Sequence, residues 1–224
     1  MGKTIELTAA DGHRLSAYRA DPAGKARGAV VVTQEIFGVN SHIRAVADGY
    51  AAEGFVALAP ALYDRVQRNY ETGYTQPDIQ AGIAVMNKLD WANTMRDVQA
   101  AIDSLKGAHR VGIVGYCFGG TVAWLAAARA NDLACAIPYY GGGIPNFIGE
   151  KPRCPAMFQF GEQDTMPSLE QARQIIAAHP QAQAHIYPAG HGFNCDQRGS
   201  YHADSAKLAK ARAVAFLSEH TATA

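Results

Sequence analysis

Short apolar segments with the composition of β-strands alternate with longer segments of helical apolar spacing along almost the whole chain. This alternation is typical of a mostly parallel sheet with helices on both faces. The predicted strands are residues 29–33, 55–59, 111–115, 134–139, 156–160 and 184–187. Their continuous apolar character indicates strands that are buried on both faces.

Five other segments have the spacing of amphipathic helices. They are residues 41–53, 94–106, 121–130, 168–178 and 203–220. Ser41 and Ser168 are predicted N-caps, because a serine hydroxyl can accept a hydrogen bond from an unpaired N–H of the first turn. The polar, irregular segment 63–89 is predicted to pass over the strand ends, with a short helix from Asp78.

The composition predicts one α/β domain over residues 1–224, long enough to build a core without disulfides or a structural metal. Twenty basic residues balance twenty acidic ones, which argues against a nucleic-acid or acidic-membrane partner. Neither a signal sequence nor a long apolar segment is recognisable, so a cytoplasmic protein is expected. The four cysteines are too scattered for a disulfide framework or a paired zinc-ligand spacing.

The turn from the strand at 111–115 into the next helix carries the most informative motif, Gly115-x-Cys117-x-Gly119. It has the frame of a nucleophile elbow with cysteine in place of serine. Such a turn holds the side chain at the carboxyl edge of the sheet, beside the N–H groups and the positive dipole end of the helix. A glycine-rich turn could instead cradle a phosphate, although neither P-loop nor dinucleotide-binding spacing is present.

Two further polar residues follow later strands of the predicted sheet. Asp164 lies in a polar turn before a capped helix, and His191 lies between glycines after the last strand. Nucleophile, acid and histidine thus occur in the chain order of α/β-hydrolases. Alone, Asp164 could be an ordinary turn residue and His191 one of eight histidines, but the ordered trio is more specific than any member.

Five motifs give the chain a resemblance to the dienelactone hydrolase (carboxymethylenebutenolidase) family. They are Gln-Glu-Ile-Phe-Gly-Val-Asn at 34–40, Gly-Tyr-Cys-Phe-Gly-Gly at 115–120, Tyr-Tyr-Gly at 139–141, Gly-x-x-Asp at 161–164 and Gly-His-x-Phe at 190–193. The resemblance implies an α/β-hydrolase fold with a mostly parallel central sheet and no large separate cap domain. It also implies a lactone or ester hydrolase with a Cys-His-Asp triad and no metal or organic cofactor.

By this resemblance Cys117 is the nucleophile, Asp164 the acid and His191 the base. Glu35 is expected beside the resting thiol, and the backbone N–H groups of Ile36 and Phe118 are expected to form the oxyanion hole. Two negative charges in one poorly solvated site disfavour each other, so the resting thiol is predicted to be mainly neutral until substrate binds.

The predicted substrate-binding residues combine aromatic pocket walls with one cation. Arg198 is the candidate anchor for a substrate carboxylate, with Arg68 as its alternative, because neither arginine expected from the resemblance is present in register. The pocket-wall candidates are Phe37, Tyr139, Tyr140 and Phe193. The departure from the family pattern leaves open which lactone or ester is cleaved.

Two other functions fit the same residues. One is a general esterase or thioesterase on the same scaffold, and the other is a non-catalytic small-molecule binding or redox-sensing protein. A pure binder does not need Glu35, Cys117, Asp164 and His191 together, which favours an enzyme. No sequence feature indicates an interface, so a monomer or a homodimer is the general expectation. Cys135, Cys154 and Cys195 are interpreted as packing residues.

Overall fold

The computed structural model describes residues 2–222, which form one eight-stranded sheet flanked by helices. The strands are β1 (Lys3–Thr8), β2 (Arg14–Ala20), β3 (Ala29–Thr33), β4 (Val56–Pro60), β5 (Val111–Tyr116), β6 (Leu133–Tyr139), β7 (Met157–Gly161) and β8 (Gln183–Tyr187). The helices are α1 (Ser41–Ala52), α2 (Gln76–Met86), α3 (Trp91–Lys106), α4 (Phe118–Arg129), α5 (Leu169–Ala178) and α6 (Ala203–Thr221).

The strand order is β1-β2-β4-β3-β5-β6-β7-β8. β3 to β8 run parallel to their neighbours, whereas β2 pairs antiparallel with both β1 and β4. All carboxyl ends of the parallel strands therefore meet at one edge, where the loops after β3, β5, β7 and β8 can bring their side chains together. The predicted mostly parallel α/β architecture is confirmed.

The core lies on both sides of the sheet, as the alternation within β3 illustrates. Ala29 and Val31 pack in one buried cluster, which includes residues of α3 and α4. Val30 and Val32 pack in the other cluster, with residues of α1 and α6. Because successive strand side chains point to opposite faces, an all-apolar strand of this kind requires helices on both faces.

All six predicted strands are present, with ends that differ by a residue or so from those expected. β1 and β2 were not among them, because neither has a continuous apolar sequence: β1 is mostly exposed, and β2 alternates buried with half-buried side chains. The segment after β4 holds a 3-10 turn at Leu62–Arg65 and then α2. That helix begins at Gln76 instead of Asp78, because Thr75 and Asp78 form a capping box ahead of it.

The prediction for the two N-caps is right for Ser168 and wrong for Ser41. Ser168 Oγ accepts a hydrogen bond from the N–H of Gln171, and the Gln171 side chain in turn accepts one from the N–H of Ser168. At α1 the cap is Asn40, whose Oδ1 accepts from the N–H of Ile43. Ser41 is instead the first residue of the helix and is exposed.

We expect Ser168→Ala to lower the free energy of unfolding by about 1 kcal/mol, because it leaves an N–H of α5 unpaired. Ser41→Ala should change it by less than about 0.5 kcal/mol, since the cap of α1 stays in place. Urea unfolding followed by circular dichroism measures both. Equal losses for the two variants would contradict this assignment of the caps.

No helix within residues 2–222 is both long enough and apolar enough to cross a membrane.

Candidate active site

Cys117 lies in a strained turn between β5 and α4. Its backbone has φ 55° and ψ −114°, a region that residues with a side chain rarely adopt. A Cβ atom at Gly115 would collide with the carbonyl of Gly119, and one at Gly119 would collide with the carbonyl of Thr33. Glycines at these two positions thus allow the close approach that lifts Cys117 to the carboxyl edge of the sheet.

The loops after β7 and β8 bring Asp164 and His191 to this cysteine. His191 Nε2 lies 3.1 Å from Cys117 Sγ, and His191 Nδ1 lies 2.9 Å from Asp164 Oδ2. Asp164 Oδ1 accepts a hydrogen bond of 2.8 Å from the N–H of Met166, which fixes the carboxylate. Cys117, His191 and Asp164 thus form a hydrogen-bonded relay. The Asp164 side chain is 1% exposed and that of His191 is 24% exposed, so the acid is buried and the imidazole is accessible to solvent.

The contacts of His191 with Cys117 and Asp164 favour its protonated form. Burial opposes a charged imidazole, but the negative charges on Cys117 and Asp164 and the hydrogen bonds to both outweigh it and raise the pKa of His191 to about 10. His191 is consequently a cation at neutral pH and loses its proton only near pH 10. A protonated His191 would therefore face the Cys117 sulfur at 3.1 Å, within reach for proton transfer.

The loop after β3 packs against the start of α4. The N–H of Gly119 donates to the carbonyl of Gln34 at 2.9 Å, which places Ile36 beside the first turn of the helix. Phe118 is the first residue of α4, so its N–H has no acceptor inside the helix. Within residues 2–222, no backbone carbonyl accepts from the N–H of Ile36 or Phe118. Both donors are thus available to an oxyanion.

The hydrogen-bond partner of Glu35 is Arg198. Its Oε1 lies 3.3 Å from Arg198 Nη1, and no hydrogen bond joins its carboxylate to Cys117 in the described part of the chain. The Glu35 carboxylate is 1% exposed, and the Arg198 guanidinium offers it a positive charge. The sulfur of Cys117 offers none. The expected position of Glu35 beside the resting thiol therefore stays a prediction, with Arg198 as the hydrogen-bond partner of its carboxylate.

Arg198 reaches the site although it is seven residues beyond His191. Successive turns join Cys195 to Gly192 and Arg198 to Cys195 and fold the loop back on itself. The guanidinium packs against Gly192 and lies 5.6 Å from the ring centre of Phe37. Burial opposes its charge, but Glu35 and then Cys117 raise the pKa of Arg198, so it remains charged.

The aromatic candidates divide into two groups. Phe37 lies under Arg198, and the Tyr140 ring lies 5.1 Å from that of His191, so both border the site. Tyr139 and Phe193 are buried beneath it, with ring centres 6.2 Å apart, and their role as pocket walls stays a prediction. β6 lies beside the turn, where the carbonyl of Tyr139 accepts from the N–H of Cys117 while its ring faces the core.

Arg68, the alternative anchor, is exposed and donates to the carbonyl of Arg14 instead of to a residue of the site.

Sequence reasoning did not identify three residues that border the site. Two of them, His42 and Cys195, lie next to Glu35. One donor atom each of Glu35, His42 and Cys195 lies within 4.8 Å of the other two. Tyr63 is buried and packs its ring 5.8 Å from that of Phe118. His42 and Cys195 lie just outside the motifs at 34–40 and 190–193, and no residue spacing connects either of them or Tyr63 to the site.

An eight-stranded, mostly parallel sheet with a cysteine elbow after β5 and an acid and a histidine after β7 and β8 defines an α/β-hydrolase fold. The model of the dienelactone hydrolase family matches residues 15–221. The chain therefore belongs to the dienelactone hydrolase family.

Its relatives cover almost the same length. A Synechocystis protein provisionally named carboxymethylenebutenolidase is 36% identical over 214 residues, which are 86% of this chain and 87% of that protein. Carboxymethylenebutenolidase 1 of Cupriavidus pinatubonensis is 32% identical over 95% of both chains. A Klebsiella pneumoniae structure provisionally named dienelactone hydrolase is 30% identical, with a TM-score of 0.79 over 97% of this chain and 99% of that one. The chain is thus a carboxylic ester hydrolase acting on lactones or esters.

The His191 cation makes a prediction for alkylation of Cys117 by iodoacetamide. We expect the wild-type protein to be modified at pH 6 at least about 10-fold faster than His191→Gln, because the variant lacks the charge that stabilises the thiolate. Mass spectrometry of the Cys117 peptide measures the rate, with the Cys154 peptide as internal control. Slow modification in both proteins would contradict the ion pair and favour the neutral thiol expected from the resemblance.

Proposed function

We propose that the chain cleaves a lactone or carboxylic ester through a thioester on Cys117. The contact of Cys117 Sγ with His191 Nε2, continued from Nδ1 to Asp164, is the observation on which the proposal depends. This arrangement matches the roles of nucleophile, acid–base group and orienting carboxylate. The oxyanion donors proposed are the N–H groups of Ile36 and Phe118.

In the first half of the reaction the Cys117 thiolate attacks the carbonyl carbon, and the two N–H groups stabilise the tetrahedral oxyanion. The C–O bond then breaks, and protonated His191 gives its proton to the leaving oxygen. An enol-lactone suits this step because its leaving group departs as a stabilised enolate. The product of this half is a thioester on Cys117 and a neutral His191.

In the second half, neutral His191 takes a proton from a water that attacks the thioester carbonyl. The C–S bond breaks, the carboxylic acid leaves and the thiolate is restored beside a protonated His191. Every electron pair and proton in the cycle is supplied by Cys117, His191, substrate and water. The proposed reaction therefore needs neither a metal nor an organic cofactor.

The substrate we favour is a small lactone or ester that carries a carboxylate. Arg198 is the buried cation beside the site, and its hydrogen bond to Glu35 at 3.3 Å is long enough to be exchanged for one to a substrate. A cavity of about 190 Å³ is lined by Phe118, which follows Cys117 in the chain, and by Met86, Asn87, Leu89 and Trp91. Its volume suits a compact substrate, and its mixed polar and apolar lining also suits a neutral ester, the substrate of the alternative activity.

Mass spectrometry of the intact protein tests the proposal. A panel of enol-lactones, p-nitrophenyl esters and thioesters is mixed with the enzyme and quenched in acid within milliseconds. We expect one acyl group per chain, located on the Cys117 peptide and absent from the Cys154 peptide. The test is made in conditions where the burst of product equals the enzyme concentration. Turnover there without an acyl adduct would contradict a thioester at Cys117.

Arg198→Met tests the substrate class. We expect the ratio of kcat/KM for a carboxylate-bearing lactone over a neutral ester of equal size to fall by about 10- to 100-fold. One hydrogen bond to a charged group contributes about 1.5–3 kcal/mol, and each 1.4 kcal/mol is tenfold. Arg68→Met is the matched control and should leave the ratio unchanged. An unchanged ratio in both variants would favour the general esterase.

The proposal includes the organisation of the protein. The single sheet from β1 to β8 supports one domain over residues 1–224. A cytoplasmic location and a monomeric or homodimeric state stay predictions.

A further inference from the structure

Three buried donor groups lie together behind Arg198, outside the Cys117–His191 pair. They are the carboxylate of Glu35, the imidazole of His42 and the thiol of Cys195, with one donor atom of each within 4.8 Å of the other two. The residues are 1%, 3% and 0% exposed. They come from the loop after β3, from the first turn of α1 and from the loop after β8.

Two of these groups have an unused polar atom. Glu35 Oε2 and His42 Nε2 are buried and have no hydrogen-bond partner among residues 2–222. An unpaired buried polar atom is costly, because it loses its hydrogen bonds to water and gains none in return. Two such atoms next to a buried sulfur indicate a group that is able to bind all three.

The remaining atoms of the cluster are already held by outer partners. Arg198 donates to Glu35 Oε1 at 3.3 Å, and Asp196 Oδ1 lies 3.2 Å from His42 Nδ1. Because a carboxylate oxygen only accepts hydrogen bonds, the Asp196 contact places the proton on Nδ1 and leaves the lone pair of the buried Nε2 without a partner. A carboxylate on the far nitrogen of a histidine is the arrangement that orients histidine ligands of metal ions.

We propose that Glu35 Oε2, His42 Nε2 and Cys195 Sγ form a binding site for a borderline divalent cation, for which Zn²⁺ is the best match. One oxygen, one nitrogen and one sulfur donor are the ligand types that Zn²⁺ accepts, in a tetrahedron with one open position. The donors of such a tetrahedron lie about 3.5 Å apart, so the three side chains need to approach each other by about 1 Å.

Access to the site is provided on the side of α1. A cavity of about 310 Å³ borders His42 and Asp196, and the Asp196 side chain is 65% exposed. An ion can therefore reach the histidine from solvent without passing the cavity beside Phe118. Binding at this site does not depend on the proposed reaction at Cys117.

Zn²⁺ binding is measured by competition with a chromogenic chelator, with the full-length chain after removal of metal by EDTA and dialysis. Cys117→Ala serves as the parent protein, because Cys117 and His191 are a second sulfur and nitrogen pair that could bind the same ion. We expect the parent to bind one equivalent of Zn²⁺. Adding Cys195→Ser or His42→Gln should weaken binding by at least about 100-fold, and adding Asp196→Asn by about 10- to 100-fold.

Cys154→Ser on the same parent is the matched control and should not change the affinity. If one of the ligand variants does not fold, Co²⁺ is added instead of Zn²⁺ to the double variant Cys117→Ala/Cys154→Ser. A thiolate-to-cobalt charge-transfer band in its absorption spectrum then shows that a remaining cysteine binds the ion. Loss of all binding in Cys117→Ala, or unchanged affinity in the Cys195→Ser variant, overturns the proposal. The acyl-enzyme measurement on the wild-type protein without added metal is separate, so failure of one proposal leaves the other intact.

Discussion

Cys117→Ala is expected to lower kcat by about 10⁴-fold or more for every lactone and ester that the wild-type protein cleaves. The variant keeps the strained turn and the two oxyanion donors but has no atom that can form the thioester. Whatever rate remains comes from binding and from the N–H groups of Ile36 and Phe118. Steady-state kinetics and the acid-quenched mass spectrum together measure the loss of turnover and of the acyl adduct.

Cys154→Ala is the matched control for this variant. Cys154 is a free, partly buried cysteine that packs against the core near the start of β7, away from the turn. It should keep wild-type kcat, which separates loss of the nucleophile from loss of any thiol. Undiminished turnover by Cys117→Ala, with a thermal unfolding midpoint equal to that of the wild-type protein, would show that the reaction does not pass through Cys117.

The positions of Cys117, Asp164 and His191 could be predicted because local rules determine them. Each follows an apolar strand of the same parallel sheet, so the topology brings all three to one edge. The turn at Cys117 is readable from its glycines, since only a residue without a side chain fits beside the carbonyls of Thr33 and Gly119. The apolar pattern of a strand and the residue types of a turn both depend only on residues that are close in sequence, so they can be predicted from the sequence.

The environment of Glu35 could not be predicted in the same way. Arg198 reaches it through a loop that folds back by consecutive turns, and no sequence spacing indicates that path. His42 looks like an ordinary helix residue and Cys195 like a packing cysteine until α1 and the loop after β8 are placed together. Contacts between segments that are distant in sequence depend on tertiary packing. The apolar periodicity of each segment predicts its secondary structure but not these contacts.

Two residues of the site break rules that most residues of the fold obey. Cys117 has a positive φ, which costs about 1–3 kcal/mol for a residue with a side chain. Glu35 is buried with one oxygen unpaired. Natural proteins accept such local costs mainly where function requires them. Both features lie at the carboxyl edge of the sheet, which supports placing the reaction, and the proposed ion site next to it, at this edge.

Asp164→Asn is expected to lower kcat by about 10³- to 10⁴-fold while leaving the fold intact. The amide oxygen can still accept from the N–H of Met166, so the NH₂ group then faces His191 Nδ1. It donates to Nδ1 and leaves the proton of neutral His191 on Nε2, facing Cys117 Sγ. In that tautomer the imidazole cannot take a proton from the attacking water.

The variant also predicts a shift in pH dependence whose sign follows from the charge of Asp164. Burial disfavours the His191 cation, and Cys117 and Asp164 together overcome it to raise the pKa of His191 to about 10. Without the carboxylate the pKa falls, so the imidazolium is lost at lower pH. The alkaline limb of kcat/KM, which reports the free enzyme, should therefore move to lower pH.

Glu162→Gln removes an exposed carboxylate from the same loop and is the matched control, with no expected change in either limb. If Asp164 were only a turn residue before α5, Asp164→Asn would reduce the folded fraction and leave the pH profile of the remaining activity unchanged. A lower kcat with an unmoved alkaline limb would thus remove Asp164 from the relay. A shifted limb with wild-type circular dichroism assigns it the orienting role, because loss of the charge and hydrogen bond of Asp164 changes the pKa of His191 without unfolding the protein.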